Sequence, residues 1–141
     1  MSPKVVLLVE DYGRDADLAL RAFARLSNPV EVHVAVDGVE AMSFLRREPP
    51  RFIEVPRPHL VLLDLHMPRK DGKTVLREVK GDPHLRAIPV VMFTGVASTA
   101  EVHELLDLHA NACVVKPVSP VDYAAAIAEI ALFWLETALP L

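Results

Sequence analysis

The 141-residue sequence has one cysteine, Cys113, which excludes an internal disulfide and any metal finger built from several thiols, and which favours a reducing compartment. Its five glycines, at positions 13, 38, 72, 81 and 95, are too scattered for a dinucleotide-binding fingerprint or a P-loop. Long apolar runs are missing too. Val5 to Val9 stops at Glu10-Asp11, which is too short and too acidic for a signal peptide. Ile130 to Leu135 is six residues, far below a membrane span, so a soluble, cytoplasmic protein with no membrane partner is expected. No block of like charge occurs. Fifteen Lys and Arg against nineteen Asp and Glu give a net charge of −4, which does not attract a phosphate backbone, and no nucleic-acid partner is expected.

What is present is an alternation of strand-like and helix-like segments. Apolar runs at Lys4 to Val9, Glu31 to Val36, His59 to Leu63, Ile88 to Phe93 and Ala112 to Val115 predict five strands. Helical spacing predicts helices over Arg14 to Leu26, 38–47, 99–109, a third from an Asp71 cap to Lys80, and a last one from Ser119-Pro120 to about Ala138. Asp37 with Glu40 and Ser98 with Glu101 have the spacing of reciprocal helix-start caps. Four prolines within 46–58 predict a long irregular loop rather than a domain boundary. Nearly continuous apolar strands separated by helices indicate an α/β fold in one domain, 1–141, with a parallel sheet covered on both faces. In such a sheet ligands bind beyond the carboxyl ends of the strands.

Those ends carry the polar residues. The stretch LVLLDLHMPRKDG, Leu60 to Gly72, runs four apolar residues straight into Asp64. A carboxylate there is costly unless something pairs with it. Strand 1 ends in Glu10-Asp11, strand 4 in Thr94-Gly95 and strand 5 in Lys116-Pro117. Three carboxylates repel one another, but a hard dication at +2 and Lys116 at +1 balance them and let all three stay ionised. Magnesium keeps open positions for a phosphoryl oxygen, while the Thr94 hydroxyl and Lys116 suit an incoming phosphate. Asp64 is then a metal-activated nucleophile able to form an aspartyl phosphate. An aspartyl-phosphatase would need a second acid two residues after the nucleophile, where DLH supplies His66. A flavin carrier would need a glycine-rich loop where Glu10-Asp11 stand.

In this ordered set the chain resembles the receiver domains of two-component response regulators, over nearly its whole length. The resemblance implies a flavodoxin-like, doubly wound five-stranded sheet in the order 2-1-3-4-5. It implies that Asp64 takes a phosphoryl group from a sensor histidine kinase, that Asp11, Asp64 and the His66 carbonyl hold Mg²⁺ with Glu10 close by or acting through water, and that Lys116 and Thr94 contact the phosphoryl oxygens. It implies a cis Lys116-Pro117 bond. It further implies that His66 and Val96 tune hydrolysis of the acyl phosphate. One departure stands out: the usual aromatic three positions before the lysine is Cys113, which puts the usual threonine–aromatic coupling in doubt.

The last helix places Ala124, Ile127, Ile130, Ala131, Trp134 and Leu135 at core spacing, and Leu132 and Phe133 widen that stripe. Leu132, Phe133 and Trp134 are therefore candidate interface residues, with a homodimer expected through helix 4, strand 5 and helix 5. The sequence runs no further than that helix, so output through contacts rather than an appended domain is expected. FWLETALPL, DLHANA and the proline-bearing loop resemble the short receivers that serve phytochrome-type histidine kinases.

Overall fold

A computed structural model describes residues 3–95 and 97–138. Five parallel strands, β1 Lys4–Val9, β2 Val30–Ala35, β3 Leu60–Leu63, β4 Val90–Thr94 and β5 Ala112–Val115, form one sheet in the order β2-β1-β3-β4-β5. Five helices alternate with them: α1 Gly13–Ala24, α2 Gly38–Leu45, α3 Gly72–Gly81, α4 Thr99–Asp107 and α5 Pro120–Ala131, the last continuing into a π-helical turn, Leu132–Thr137. Among the described residues, no helix is long and apolar enough to cross a membrane.

Each strand sends alternate side chains to opposite faces, and the three central strands, β1, β3 and β4, are buried on both. Leu7, Val9, Val61, Leu63, Val90 and Met92 pack with α2, α3 and α4 through Met42, Phe44, Leu76 and Leu105. Val6, Leu8, Leu60, Leu62, Val91 and Phe93 pack with α1 and α5 through Phe23, Tyr123, Ile127 and Ile130.

Helix starts follow the expected caps. Asp37, Asp71 and Ser119 each accept a backbone N–H from three residues on, and Ser98 with Glu101 completes a reciprocal capping box. Most elements start or end one or two residues away from the sequence pattern, β4 and the last helix among them. β4 begins at Val90 because Pro89 has no N–H to donate, and its carbonyl instead accepts from Val61. The last helix changes pitch at Leu132, where the Ala138 N–H reaches back five residues to the Phe133 carbonyl at 2.7 Å.

The proline-bearing segment is irregular but anchored. Phe52 packs against Phe44 with ring centroids 5.6 Å apart, and the Arg51 guanidinium lies 4.7 Å over the Phe52 ring. The expected cis bond at Lys116-Pro117 is not found; the cis peptide among the described residues is Pro49-Pro50. The lysine reaches the site without it, because its four-carbon stem spans the gap.

Candidate phosphoacceptor site

Strand register assembles the site. Val9 lies opposite Leu63 in the β1–β3 pair, so the residues that follow, Glu10 and Asp64, emerge side by side. Thr94 lies opposite Val115 in the β4–β5 pair, and the Lys116 N–H donates to the Thr94 carbonyl at 2.8 Å. Four strand ends thus converge on one edge, as the sequence pattern requires.

Asp64 is buried, and its two oxygens are already placed. Oδ1 accepts the Leu65 N–H at 2.8 Å, and Oδ2 lies 3.3 Å from Lys116 Nζ. Two glycine contacts fix the loop behind it. A Cβ on Gly72 would overlap the Asp64 carbonyl oxygen, and a Cβ on Gly38 would overlap the Lys70 carbonyl oxygen. Arg69, at φ 66°, closes the loop by gripping buried Asp37 through Nε at 2.9 Å and Nη2 at 2.7 Å.

Glu10, Asp11 and Asp64 each offer a carboxylate oxygen, and the three oxygens lie within 4.8 Å of one another. Burial pushes the Glu10 carboxyl up to about 7; the charge of Asp64 adds to this, while the hydrogen bond from Lys116 opposes it. Its ionised form is disfavoured mainly because water is excluded, and three hard oxygen donors gathered this closely fit a divalent cation. Among the described residues, Lys116 is the cation within bonding distance of Glu10 and Asp64. Burial works against its charge, but hydrogen bonds to Glu10 and Asp15 and the charge of Asp64 outweigh it and hold the ammonium strongly protonated.

Of the residues singled out in the sequence, Glu10, Asp11, Asp64, Thr94 and Lys116 come together at this edge. Thr94 is buried. The His66 ring is exposed and lies 3.9 Å from Glu101 on α4. Val96 lies outside the described residues. Cys113 is half-buried against the α2–α4 side of the core, and burial pushes its thiol up. Leu132 and Phe133 are more than half exposed, whereas Trp134 is half-buried with its ring 4.9 Å from that of Phe133.

Two site residues escaped the sequence reading. Asp15, in the first turn of α1, accepts from Lys116 Nζ at 2.9 Å, and the Tyr123 hydroxyl donates to the Asp15 carbonyl at 3.0 Å. The sequence carries little signal for Asp15, since an acid in the first turn of a helix has an ordinary explanation as a helix-start charge. Tyr123 also meets Phe93, the neighbour of Thr94, edge-on with centroids 5.2 Å apart.

A doubly wound sheet whose carboxyl edge gathers three acids, one of them the aspartate at the end of the middle strand, with a bridging lysine, defines a phosphate-handling α/β domain. The chain belongs to the response regulator receiver domain family, whose sequence profile matches residues 6–128. It is 38% identical over 135 residues to response regulator Rcp1 of Synechocystis sp. (strain ATCC 27184 / PCC 6803 / Kazusa), spanning 96% of this chain and 91% of that protein. The phosphorylated cyanobacterial phytochrome response regulator RcpA superposes with a TM-score of 0.93 at 38% identity, over 98% of both chains. The Mn²⁺-bound form of Rcp1 superposes with a TM-score of 0.91 at 37% identity, over 99% of both.

Proposed function

We propose that the protein works as a single-domain response regulator in which Asp64 takes a phosphoryl group from a phosphohistidine of a sensor histidine kinase of the phytochrome type. The observation that carries this is the Lys116 ammonium bridging to Asp64 beside the Glu10–Asp11–Asp64 cluster at the carboxyl edge. The likeness over almost the full length of Rcp1 and RcpA supports the single-domain reading and the phytochrome pathway.

In the transfer, an Asp64 oxygen forms a bond to phosphorus as the nitrogen–phosphorus bond breaks. The electron pair stays on the imidazole nitrogen, which then takes up a proton. Lys116 donates to one phosphoryl oxygen and the Thr94 hydroxyl to another, contacts that strengthen as charge gathers there. Glu10, Asp11, Asp64 and the His66 carbonyl are the residues that would hold Mg²⁺, which when bound neutralises charge on the phosphoryl oxygens. The protein is no enzyme toward other substrates; its own phosphorylation and the hydrolysis of its acyl phosphate are the only chemistry, with His66 and Val96 restricting the attacking water. A phosphoryl lifetime unchanged in a His66→Ala, Val96→Ala double variant overturns that last role.

Phosphorylation shifts the balance between two pre-existing arrangements of the loops after β3 and β4, and output passes through altered contacts in the cytoplasm, without nucleic acid or membrane. A homodimer through α4, β5 and α5 is the expected partner surface besides the kinase. Val115, Val118, Val121, Leu132 and Phe133, all exposed, and half-buried Trp134 supply its apolar area. Incubation with acetyl phosphate and Mg²⁺ followed by intact-mass analysis tests the central reading. Wild type should gain one phosphoryl group and Asp64→Asn none; an unmodified wild type overturns it.

A further inference from the structure

The Lys116 ammonium has three N–H donors and spends all three on carboxylates: Glu10, Asp15 at 2.9 Å and Asp64 at 3.3 Å. These partners are not equivalent. Glu10 and Asp64 are committed twice, to the ammonium and to the three-oxygen cluster with Asp11. Asp15 lies outside that cluster and has the lysine as its cation. It is also held from behind, because buried Tyr123 on α5 donates its hydroxyl to the Asp15 carbonyl at 3.0 Å. A lysine pinned in this way has no free donor for a phosphoryl oxygen. One carboxylate must give it up.

We propose that Asp15 is a positioning residue that holds the Lys116 ammonium in competition with the phosphoryl group, so that its negative charge sets how readily the lysine is released to phosphate. The proposal rests on the reading of Asp64 as phosphoacceptor. It departs from the bland role of Asp15 as a helix-start charge on α1, which would affect stability and leave the lysine alone. Asp15 also adds a fourth negative charge to the edge, which an incoming dianion must approach. Both effects act in one direction: neutralising Asp15 should favour the phosphoryl-bound state.

The test compares wild type with Asp15→Asn, Asp15→Glu and Tyr123→Phe. In Mg²⁺-loaded protein labelled with ¹⁵N-lysine, the Lys116 ammonium resonance, assigned with Lys116→Arg, should be slow to exchange in wild type and in Asp15→Glu. It should broaden or vanish in Asp15→Asn. Affinity for fluoroberyllate as phosphoryl mimic, followed by ¹⁹F NMR, should tighten about tenfold in Asp15→Asn, the difference between a charged and a neutral acceptor. It should return to the wild-type value in Asp15→Glu. Tyr123→Phe, which keeps the ring and frees the Asp15 backbone, should shift both readouts the same way by a smaller factor. An ammonium resonance unaltered in Asp15→Asn, or a fluoroberyllate affinity unchanged or weakened, overturns the proposal. If wild type and every variant ignore fluoroberyllate, the phosphoacceptor reading falls, and the ammonium resonance still decides whether Asp15 holds the lysine.

Discussion

Lys116 is the residue on which the charges at the sheet edge balance. With its side chain 8% exposed, it sits among three carboxylates, and removing it leaves them facing one another in a poorly solvated crevice. Lys116→Met should therefore lower stability by about 3 kcal/mol in metal-free protein. Added Mg²⁺ should recover part of that loss, which urea unfolding with and without the ion would show. Glu10 gives the site a pH dependence of defined sign. Its carboxyl moves from an ordinary 4.5 up to about 7, so the folded protein holds the proton more tightly than the unfolded chain. The stability this contributes is full below about pH 4.5 and is lost as the pH rises through about 7. A cation must displace that proton. At pH 6 Mg²⁺ binding should release close to one proton and should tighten towards pH 7, and Glu10→Gln should abolish the release; calorimetry in buffers of different ionisation enthalpy measures both. At this scale most of the site was legible, because an acid or a lysine placed directly after an apolar strand has few positions to occupy. Asp15 was not, since a carboxylate in the first turn of a helix has an ordinary explanation that needs no partner.

Elements determine how firmly Asp64 is aimed. The loop from β3 to α3 is held by close backbone approach at Gly72 and Gly38 and by the Arg69–Asp37 pair. Gly72→Ala should cost more than about 2 kcal/mol, because the new methyl meets the Asp64 carbonyl. Phosphorylation should slow as well, seen by intact mass at early times. The α4 cap works more gently: Ser98→Ala removes half of a reciprocal pair and should cost about 1 kcal/mol in denaturant unfolding. Element existence and order could be read from the sequence, since strand-like runs alternate with helical spacing. Boundaries could not all be read. Pro89 shortens β4 through a missing donor, and the π-helical turn at Leu132–Thr137 is a change of backbone hydrogen bonding that no spacing of Leu132, Phe133 and Trp134 encodes. Tyr123 is a similar case. Its ring fits the core stripe, so the hydroxyl bond to Asp15 becomes visible only once α1 and α5 pack together.

On the scale of the molecule, the apolar patch over β5, α5 and the terminal turn decides the assembly expected in solution. Phe133→Ser should weaken the proposed dimer, and light scattering across a concentration series would report the shift to monomer. The sheet itself has a separate consequence. Because Leu76 and Ile127 lie on opposite sides of an unbroken layer of backbone, each packs against a set of neighbours that the other does not share. Leu76→Ala should cost about 2–5 kcal/mol and Ile127→Val about 1 kcal/mol. In the double variant the two losses should sum to within about 0.5 kcal/mol in a thermodynamic cycle, so that an engineer could redesign either half of this interior without consulting the other.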